Sequence, residues 1–181
     1  MSSKKKQYVI GVTGHRHLPR ERVQMLAAEI GACYLEKISM YGAESITVLS
    51  SLAEGADTLC AKLALDAYLR LSVPLPMNTL EYRTDFADSA ASEFDCLLSL
   101  ADHVFVVPPE EAEPKNPLRG FYYRQAGIYV VKNCDVLLAV WDGIKKDTPD
   151  GAGTWETVKL AKEIGKPVCV LASGLNAALA R

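Results

Sequence analysis

The sequence predicts a doubly wound α/β fold, with a mainly parallel sheet of about six strands and helices on both faces. Short apolar runs rich in β-branched residues alternate with longer segments whose apolar residues recur every three or four positions. Strands that are apolar along their whole length, each followed by a helix, are typical of a parallel sheet covered on both sides. Because the 181 residues show no internal repeat and no linker, we predict one domain over residues 1–181, with its core over about 7–172.

The elements follow one another in a regular order. Strands are predicted at residues 7–13, 45–50, 71–76, 103–107, 135–140 and 167–171. Helices are predicted from about 19 to 38, from 55 to 67, and over 84–101, 120–133 and 154–164. The first strand looks the most central, whereas the prolines of the third strand suit an edge or a strand end. The loop over 108–117, rich in Pro and Glu, is either a mobile lid or a simple surface connection.

The composition indicates which cellular compartment and which classes of partner to expect. Lys and Arg total 20 and Asp and Glu total 22, for a formal net charge of −2, so a basic surface for a polyanion is not expected and nucleic acid is an unlikely partner. The five cysteines are dispersed, which is typical of reduced thiols. The N-terminus is polar and no apolar run is long enough to cross a bilayer. We therefore expect a cytoplasmic protein without a membrane partner.

Three turns that connect a strand to the following helix hold the unusual residues. The first contains Gly14, His15 and Arg16: the glycine would let backbone amides approach a ligand, and Arg16 supplies a forked set of donors. Because such turns meet at the carboxyl edge of a parallel sheet, we expect the three of them to converge on one ligand. The alternative for this first turn is a structural glycine beside solvated side chains.

The second turn runs from Ser51 through Glu54 and Gly55 to Asp57. Small hydroxyl residues followed by a glycine that opens a helix make a helix N-terminus suited to an anion. Asp57 or Glu54 would bind ribose hydroxyls. An equally good interpretation of Asp57 is that its charge complements the helix dipole.

The third turn, which begins at Asp150, contains Gly151, Gly153 and Thr154. Two glycines before a helix leave room for a phosphate against the backbone, and Thr154 can donate its hydroxyl and cap the helix. The alternative is a flexible loop in which the glycines only permit tight turning.

Other motifs predict less. His15 and His17 form an H-x-H pair, but no third ligand stands at a recognisable spacing, so no metal site is predicted. No G-x-G-x-x-G follows the first strand and no Walker A sequence occurs, and we predict no cofactor. In the aromatic segment over 121–125, Arg124 either contacts the ligand or stays on the protein surface, while its aromatic neighbours stack a base or pack the helix on the sheet.

Taken together, these turns resemble those of the SLOG superfamily, a Rossmann-like group that joins the Smf-type DNA-processing proteins and the "lonely guy" phosphoribohydrolases. The resemblance extends from Ile10 to about Leu171 and rests on four segments: residues 11–16, 51–57, 124–140 and 151–154. It implies a nucleotide pocket at the carboxyl edge of the sheet, in a protein that senses a ligand, binds nucleic acid or acts as an enzyme. A homodimer is compatible with it.

The resemblance also implies an alternative activity, hydrolysis of a nucleoside 5′-monophosphate to base and ribose phosphate. In the phosphoribohydrolases the phosphate loop reads roughly GGxGTxxE, and its Glu takes part in cleavage. Here Thr157 stands at that position and the nearest carboxylate, Glu156, comes one residue earlier. If the protein is an enzyme, Glu156 and Arg124 are the predicted catalytic residues. The leading prediction is binding of a nucleotide or a nucleotide-derived phosphorylated ligand.

Overall fold

The computed structural model, which describes residues 7–149 and 151–174, contains a six-stranded parallel sheet. Its strands are β1 (Tyr8–Gly14), β2 (Ile46–Leu49), β3 (Arg70–Leu75), β4 (His103–Val106), β5 (Val136–Trp141) and β6 (Val168–Ala172). They lie side by side in the order β4–β3–β2–β1–β5–β6. The predicted α/β fold is confirmed, and β1 is central as expected. The predicted polar N-terminus and Asp150, the first residue of the third turn, lie outside the described residues.

Helices connect the strands along the described chain. They are α1 (Arg20–Tyr41), α2 (Ala56–Asp66), α3 (Thr79–Arg83), α4 (Asp88–Leu100), α5 (Arg119–Asn133) and α6 (Thr154–Glu163), with a short 3-10 turn at Ala43–Ser45. The helix predicted over 84–101 begins four residues later, and α3 was not predicted. Asn78 explains α3, because its side chain accepts a hydrogen bond from the Glu81 amide at 3.0 Å and so caps the helix. None of the described helices is long and apolar enough to span a membrane.

The two faces of the sheet carry separate apolar cores. Along β5, Val136, Leu138 and Val140 pack with residues of α1 and α2 on one face. The alternate residues Leu137, Ala139 and Trp141 pack with residues of α5 and α6 on the other face. This alternation follows from the two-residue period of a strand, and because both faces are covered every residue of β5 is buried.

The third strand does not lie at an edge of the sheet, so of the two positions that its prolines suited, an edge or a strand end, only the strand end remains. β3 pairs with β2 on one side and with β4 on the other. Pairing with β2 extends only from Arg70 to Ser72, so Pro74 lies beyond the last paired residue on that side. The missing amide hydrogen of Pro74 therefore breaks no bond to β2, which is why an interior strand tolerates it.

The strand order reverses direction beside β1. From β1 the chain proceeds through β2, β3 and β4 to one edge, then returns through α5 to place β5 on the other side of β1. The chain therefore leaves β1 toward one face of the sheet and leaves β5 toward the other face. A crevice lies between these two connections, at the carboxyl ends of β1 and β5. In sheets of this kind that crevice is the usual position of a ligand.

Candidate functional site

A cavity of about 560 Å³ lies at the carboxyl ends of β1, β2 and β5, where the strand order reverses. Its volume falls within the range of about 300–1,000 Å³ that is typical of small-molecule sites. All three of the predicted turns contribute to its lining: residues 14–16 from the first, Ser51 and Asp57 from the second, and Gly153 and Thr154 from the third.

The first turn is fixed by contacts with both neighbouring elements. The His15 amide donates to the Val140 carbonyl at 3.1 Å, and the His15 carbonyl accepts from the Ala56 amide at 3.1 Å. The His15 Nε2 atom lies 3.2 Å from the Asp142 amide nitrogen and 3.2 Å from its Oδ1 atom. Gly14 is needed for packing, since a Cβ atom there would lie 2.4 Å from the Cβ of Ala56. The close approach that this glycine permits is therefore that of α2.

Arg16 places a positive charge at the cavity. Its guanidinium carbon lies 5.3 Å from the centre of the Tyr123 ring, in the position of a cation–π contact. Within residues 7–149 and 151–174 no carboxylate lies close enough to form a salt bridge with it. Lys146, an exposed cation, lines the same cavity. These two side chains are the cations that an anionic ligand would meet among the described lining residues.

The second turn contains two residues with positive φ and packs closely against the first turn. Leu52 is buried with a left-handed φ of 57°, and Gly55 has a φ of 91°. A Cβ atom on Gly55 would lie 2.1 Å from the Arg16 carbonyl oxygen, so only glycine fits. Gly55 and Glu54 do not line the cavity, whereas Ser51 does. Gly55 thus affects the cavity indirectly, through its contact with the Arg16 backbone.

Asp57, in the first turn of α2, lines the cavity although its side chain is almost completely buried. Burial raises the pKa of this carboxyl to about 7, against the opposing effects of the Ala53 and Ser51 amides, the Ser50 hydroxyl and the Arg16 charge. The carboxyl group therefore changes its charge near neutral pH. Both predicted roles of Asp57 remain compatible with this position.

The third turn is held together by Glu156 rather than by Thr154. The Glu156 carboxylate accepts hydrogen bonds from the Thr148 amide and, at 2.9 Å, from the Thr148 hydroxyl, which itself accepts from the Ala152 amide at 3.0 Å. Burial raises the pKa of Glu156, but these bonds and those of the Gly153 and Glu156 amides outweigh it and lower the pKa overall. The expectation that Thr154 caps α6 is wrong, because Gly153 is the N-cap and makes no side-chain cap bond.

The amino end of α6 opens onto the cavity. Ala152, Gly153, Thr154 and Trp155 all contribute to the lining. The first amides of a helix have no partner within the helix, and the helix dipole adds partial positive charge there. This end of the cavity therefore carries partial positive charge beside the Thr154 side chain.

Aromatic side chains form much of the remaining wall. Trp141 and Trp155 stack on each other with ring centres 5.7 Å apart, and both line the cavity. Tyr82 and Tyr123 line the end beside Arg16. The sequence predicts base stacking or packing on the sheet for the aromatic segment that contains Tyr123, but it does not predict Trp141, Trp155, Tyr82 or Lys146 in the site. Aromatic residues are common in buried cores, so nothing in the sequence distinguished those that face a ligand.

Arg124, Gly151 and Glu156 lie outside this cavity. They line a separate hollow of about 280 Å³ between α5 and α6. Arg124 forms a salt bridge of 2.6 Å with Glu111, whose carboxylate also accepts from Gln125 at 2.9 Å. Arg124 and Gln125 thus hold the loop over 108–117 against α5, and the two predicted catalytic residues are not brought to the cavity.

A metal-binding cluster is not found in the described part of the chain, where no three His, Cys, Asp or Glu side chains are grouped suitably. His17 is exposed and does not line the cavity, while His15 is engaged with Asp142. The site is therefore built from backbone amides, hydroxyls, two cations, acidic side chains and aromatic rings.

No family model and no curated protein matches this chain, but solved structures share its fold. DNA processing protein A (DprA) from Streptococcus pneumoniae matches with a TM-score of 0.60 at 17% identity, covering 91% of this chain and 50% of that protein. DprA from Helicobacter pylori, solved in a study of its single-stranded DNA binding mode, matches with a TM-score of 0.60 at 17% identity, covering 94% and 68%. The protein TM1055 matches with a TM-score of 0.53 at 14% identity, covering 90% and 72%.

These similarities show that the chain shares its Rossmann-like fold with these proteins. Sequence identities of this size say nothing further about activity or ligand. The chain spans about half the length of the pneumococcal protein that it matches.

The expectation that nucleic acid is an unlikely partner must be corrected. A structural neighbour with the same fold, DprA from H. pylori, binds single-stranded DNA. The expectation rested on the net charge of the whole chain, which averages over the surface. Binding of a single strand depends on local cations and aromatic faces, and a chain of nearly neutral net charge can provide both.

Proposed function

We propose that the protein binds a nucleotide, or a nucleotide-derived phosphorylated ligand, in the cavity at the carboxyl ends of β1, β2 and β5. One observation carries this proposal: the turn after β1, the turn after β2 and the turn before α6 all line a single cavity. The first residues of α6 line the same cavity. A cavity at this position that combines amides, hydroxyls and aromatic rings suits a molecule with both anionic and aromatic parts.

The phosphate would lie at the amino end of α6. Thr154 and Trp155, whose amides have no partner within the helix, line the cavity there, while the Glu156 carboxylate is held by Thr148 and lines the separate hollow. Arg16 and Lys146 would neutralise further negative charge. Because neither cation forms a salt bridge within the described residues, a bound phosphate would not have to displace a carboxylate from them.

Calorimetric titration tests this proposal. We expect nucleoside 5′-monophosphates to bind at least about tenfold more tightly than the corresponding nucleosides, because only the former carry the anion. The variant Arg16→Gln should weaken binding of the monophosphates. Its matched control is Arg20→Gln, at an exposed arginine outside the cavity, which should leave the affinity unchanged. If no nucleoside phosphate binds, the proposal is refuted.

Hydrolysis of nucleoside monophosphates, the alternative activity, gains no support from the positions of Glu156 and Arg124. Among the described lining residues, the carboxylates are those of Asp57 and Asp142. Incubation with the common monophosphates, followed by chromatography for the free base, measures this activity directly. Release of base that survives Glu156→Ala would assign catalysis to other residues.

Single-stranded DNA is a second candidate ligand, favoured by the similarity to the H. pylori protein. A nucleotide of a strand would occupy the same cavity, and Arg16 and Lys146 would contact the backbone. Such binding should weaken as salt rises, because each neutralised phosphate releases counterions. A gel-shift experiment at two salt concentrations with labelled oligonucleotide tests it, and no retardation at low salt would exclude this candidate.

A further inference from the structure

Tyr82, on the short helix α3, has a hydroxyl group that no described residue satisfies. The residue is only 2% exposed, yet it lines the cavity. Other tyrosine hydroxyls nearby have protein partners: Tyr34 donates to the Cys60 carbonyl at 3.0 Å, and Tyr123 bonds to Asp85. A hydroxyl without a protein partner, at the tip of an otherwise buried side chain that lines a cavity, is available to bond a ligand there.

The ring of Tyr82 is fixed by aromatic neighbours. Its centre lies 5.1 Å from that of Phe86 and 5.6 Å from that of Phe94, both in edge-to-face geometry, and 6.2 Å from that of Tyr123. With the ring held in the core, the hydroxyl is the part of the side chain that reaches the cavity. Its orientation is thus set before a ligand arrives.

Asp57 and Arg16 line the same cavity as Tyr82. Burial is the main cause that raises the pKa of Tyr82; the charge of Asp57 raises it further and that of Arg16 lowers it. The same Arg16 charge acts on Asp57. One end of the cavity therefore combines a carboxyl group, which accepts hydrogen bonds when ionised, with a hydroxyl group that both donates and accepts.

We infer that Tyr82 and Asp57 bind the hydroxyl groups of a ribose, so that the cavity selects ribonucleotides over 2′-deoxyribonucleotides. This inference rests on the proposed nucleotide-binding function and names the sugar that the same site takes. A sugar hydroxyl would donate to the Asp57 carboxylate and accept from the Tyr82 hydroxyl, which gives that hydroxyl its partner.

A sugar fits this end of the cavity better than a base does. A base requires a free aromatic face, but Arg16 covers the ring of Tyr123, and Phe86 and Phe94 pack against that of Tyr82. The 2′ and 3′ hydroxyls of a nucleotide lie on the side of the sugar away from both base and phosphate. A diol at Tyr82 therefore leaves the phosphate free to reach α6.

The test compares dissociation constants of ribonucleoside 5′-monophosphates with those of their 2′-deoxy counterparts, for all four bases, on the full chain. The wild type should prefer the ribo form by about tenfold or more, as expected when a hydrogen-bonding group loses its partner. Tyr82→Phe removes only the hydroxyl oxygen and should reduce this preference to within about twofold. Because that oxygen has no partner among the described residues, the variant should keep the thermal stability of the wild type.

Tyr34→Phe is the matched control, since it removes a tyrosine hydroxyl from the core but not from the cavity. It should retain the wild-type preference for ribose. Equal affinity of the wild type for both sugars, or an unchanged preference in Tyr82→Phe, would overturn the inference while leaving nucleotide binding in place. Failure of the wild type to bind either form would refute the proposed function and this inference together.

Discussion

Gly55 packs against Arg16 so closely that a Cβ atom on Gly55 would lie 2.1 Å from the Arg16 carbonyl oxygen. The amide of the next residue, Ala56, donates to the His15 carbonyl at 3.1 Å. Two turns that are forty residues apart in the chain are thereby locked together at the edge of the cavity. The position of the Arg16 guanidinium consequently depends on a glycine that does not itself line the cavity.

Gly55→Ala should disturb both stability and binding. The added methyl group clashes with the Arg16 backbone, and the φ of 91° is unfavourable for alanine. We expect a loss of about 2–4 kcal/mol in the free energy of unfolding. Chemical denaturation measures this loss, and calorimetry should show weaker binding of nucleoside phosphates.

Gly165→Ala is the control, because Gly165 has a φ of 73° but open space at its Cβ position. It should cost about 1–2 kcal/mol from backbone strain alone and leave ligand affinity unchanged. Equal effects of the two substitutions on stability would contradict the role assigned to the contact between Gly55 and Arg16.

The sequence predicted a parallel sheet with β1 near its centre, which the observed strand order confirms. The apolar runs of β1 and β5 mark central strands, and the turns after them must meet at one edge of a parallel sheet. The contribution of Tyr82 was not predictable in this way. It reaches the cavity through α3, a five-residue helix whose only local signal is the capping residue Asn78.

Arg124 and Glu156 show a second limit of sequence reasoning. Both are charged residues near the expected loop, but side-chain direction decides which hollow each one lines. Arg124 is directed to Glu111, and Glu156 to Thr148. Such pairing depends on contacts across 13 and 8 positions that no periodic pattern encodes.

Glu156 should stabilise the protein only when it is ionised. Its folded-state pKa is lowered from the usual 4.5, so its stabilising effect is present above that value and is lost as the pH falls through the folded-state pKa. Glu156→Gln should therefore cost about 1 kcal/mol at pH 7 and progressively less as the pH falls below 4.5. Denaturation curves at several pH values across this range test this. Glu163→Gln, at the other end of α6, should show no such loss, and a pH-independent effect of Glu156→Gln would argue against the prediction.

Asp57 should have the opposite pH dependence. Its pKa is raised from 3.8 to about 7, so between these values the folded state keeps a proton that the unfolded state has released. Stability should therefore fall as the pH rises through this window, by at most about 1.4 kcal/mol per pH unit. Asp57→Asn should lack this decline. The free energy of unfolding of both proteins should be measured from pH 4 to pH 8. If it changes with pH in the same way in both, the assignment is refuted.

Tyr68 should be replaceable by glycine with a gain in stability. It follows α2 with a left-handed φ of 57° and is 90% exposed, so it bears backbone strain without evident packing. The Leu69 amide closes the helix by donating to the Ala64 carbonyl at 2.9 Å, a geometry that favours glycine at position 68. We expect Tyr68→Gly to raise the free energy of unfolding by about 1 kcal/mol. Tyr68→Ala, which keeps the Cβ atom, should have little effect on stability. A loss of stability in Tyr68→Gly would show that the tyrosine side chain stabilises the fold despite its exposure.

The central claim is that the three turns bind one nucleotide, and amide chemical shifts test it most directly. In a titration of ¹⁵N-labelled protein with a nucleoside 5′-monophosphate, we predict that the largest shifts fall on the amides of the first turn, the second turn and the first residues of α6. Thr154 and Trp155 should shift far less with the nucleoside, which lacks the phosphate. Shifts confined to the hollow beside Arg124 and Glu156, or to one turn alone, would contradict the claim.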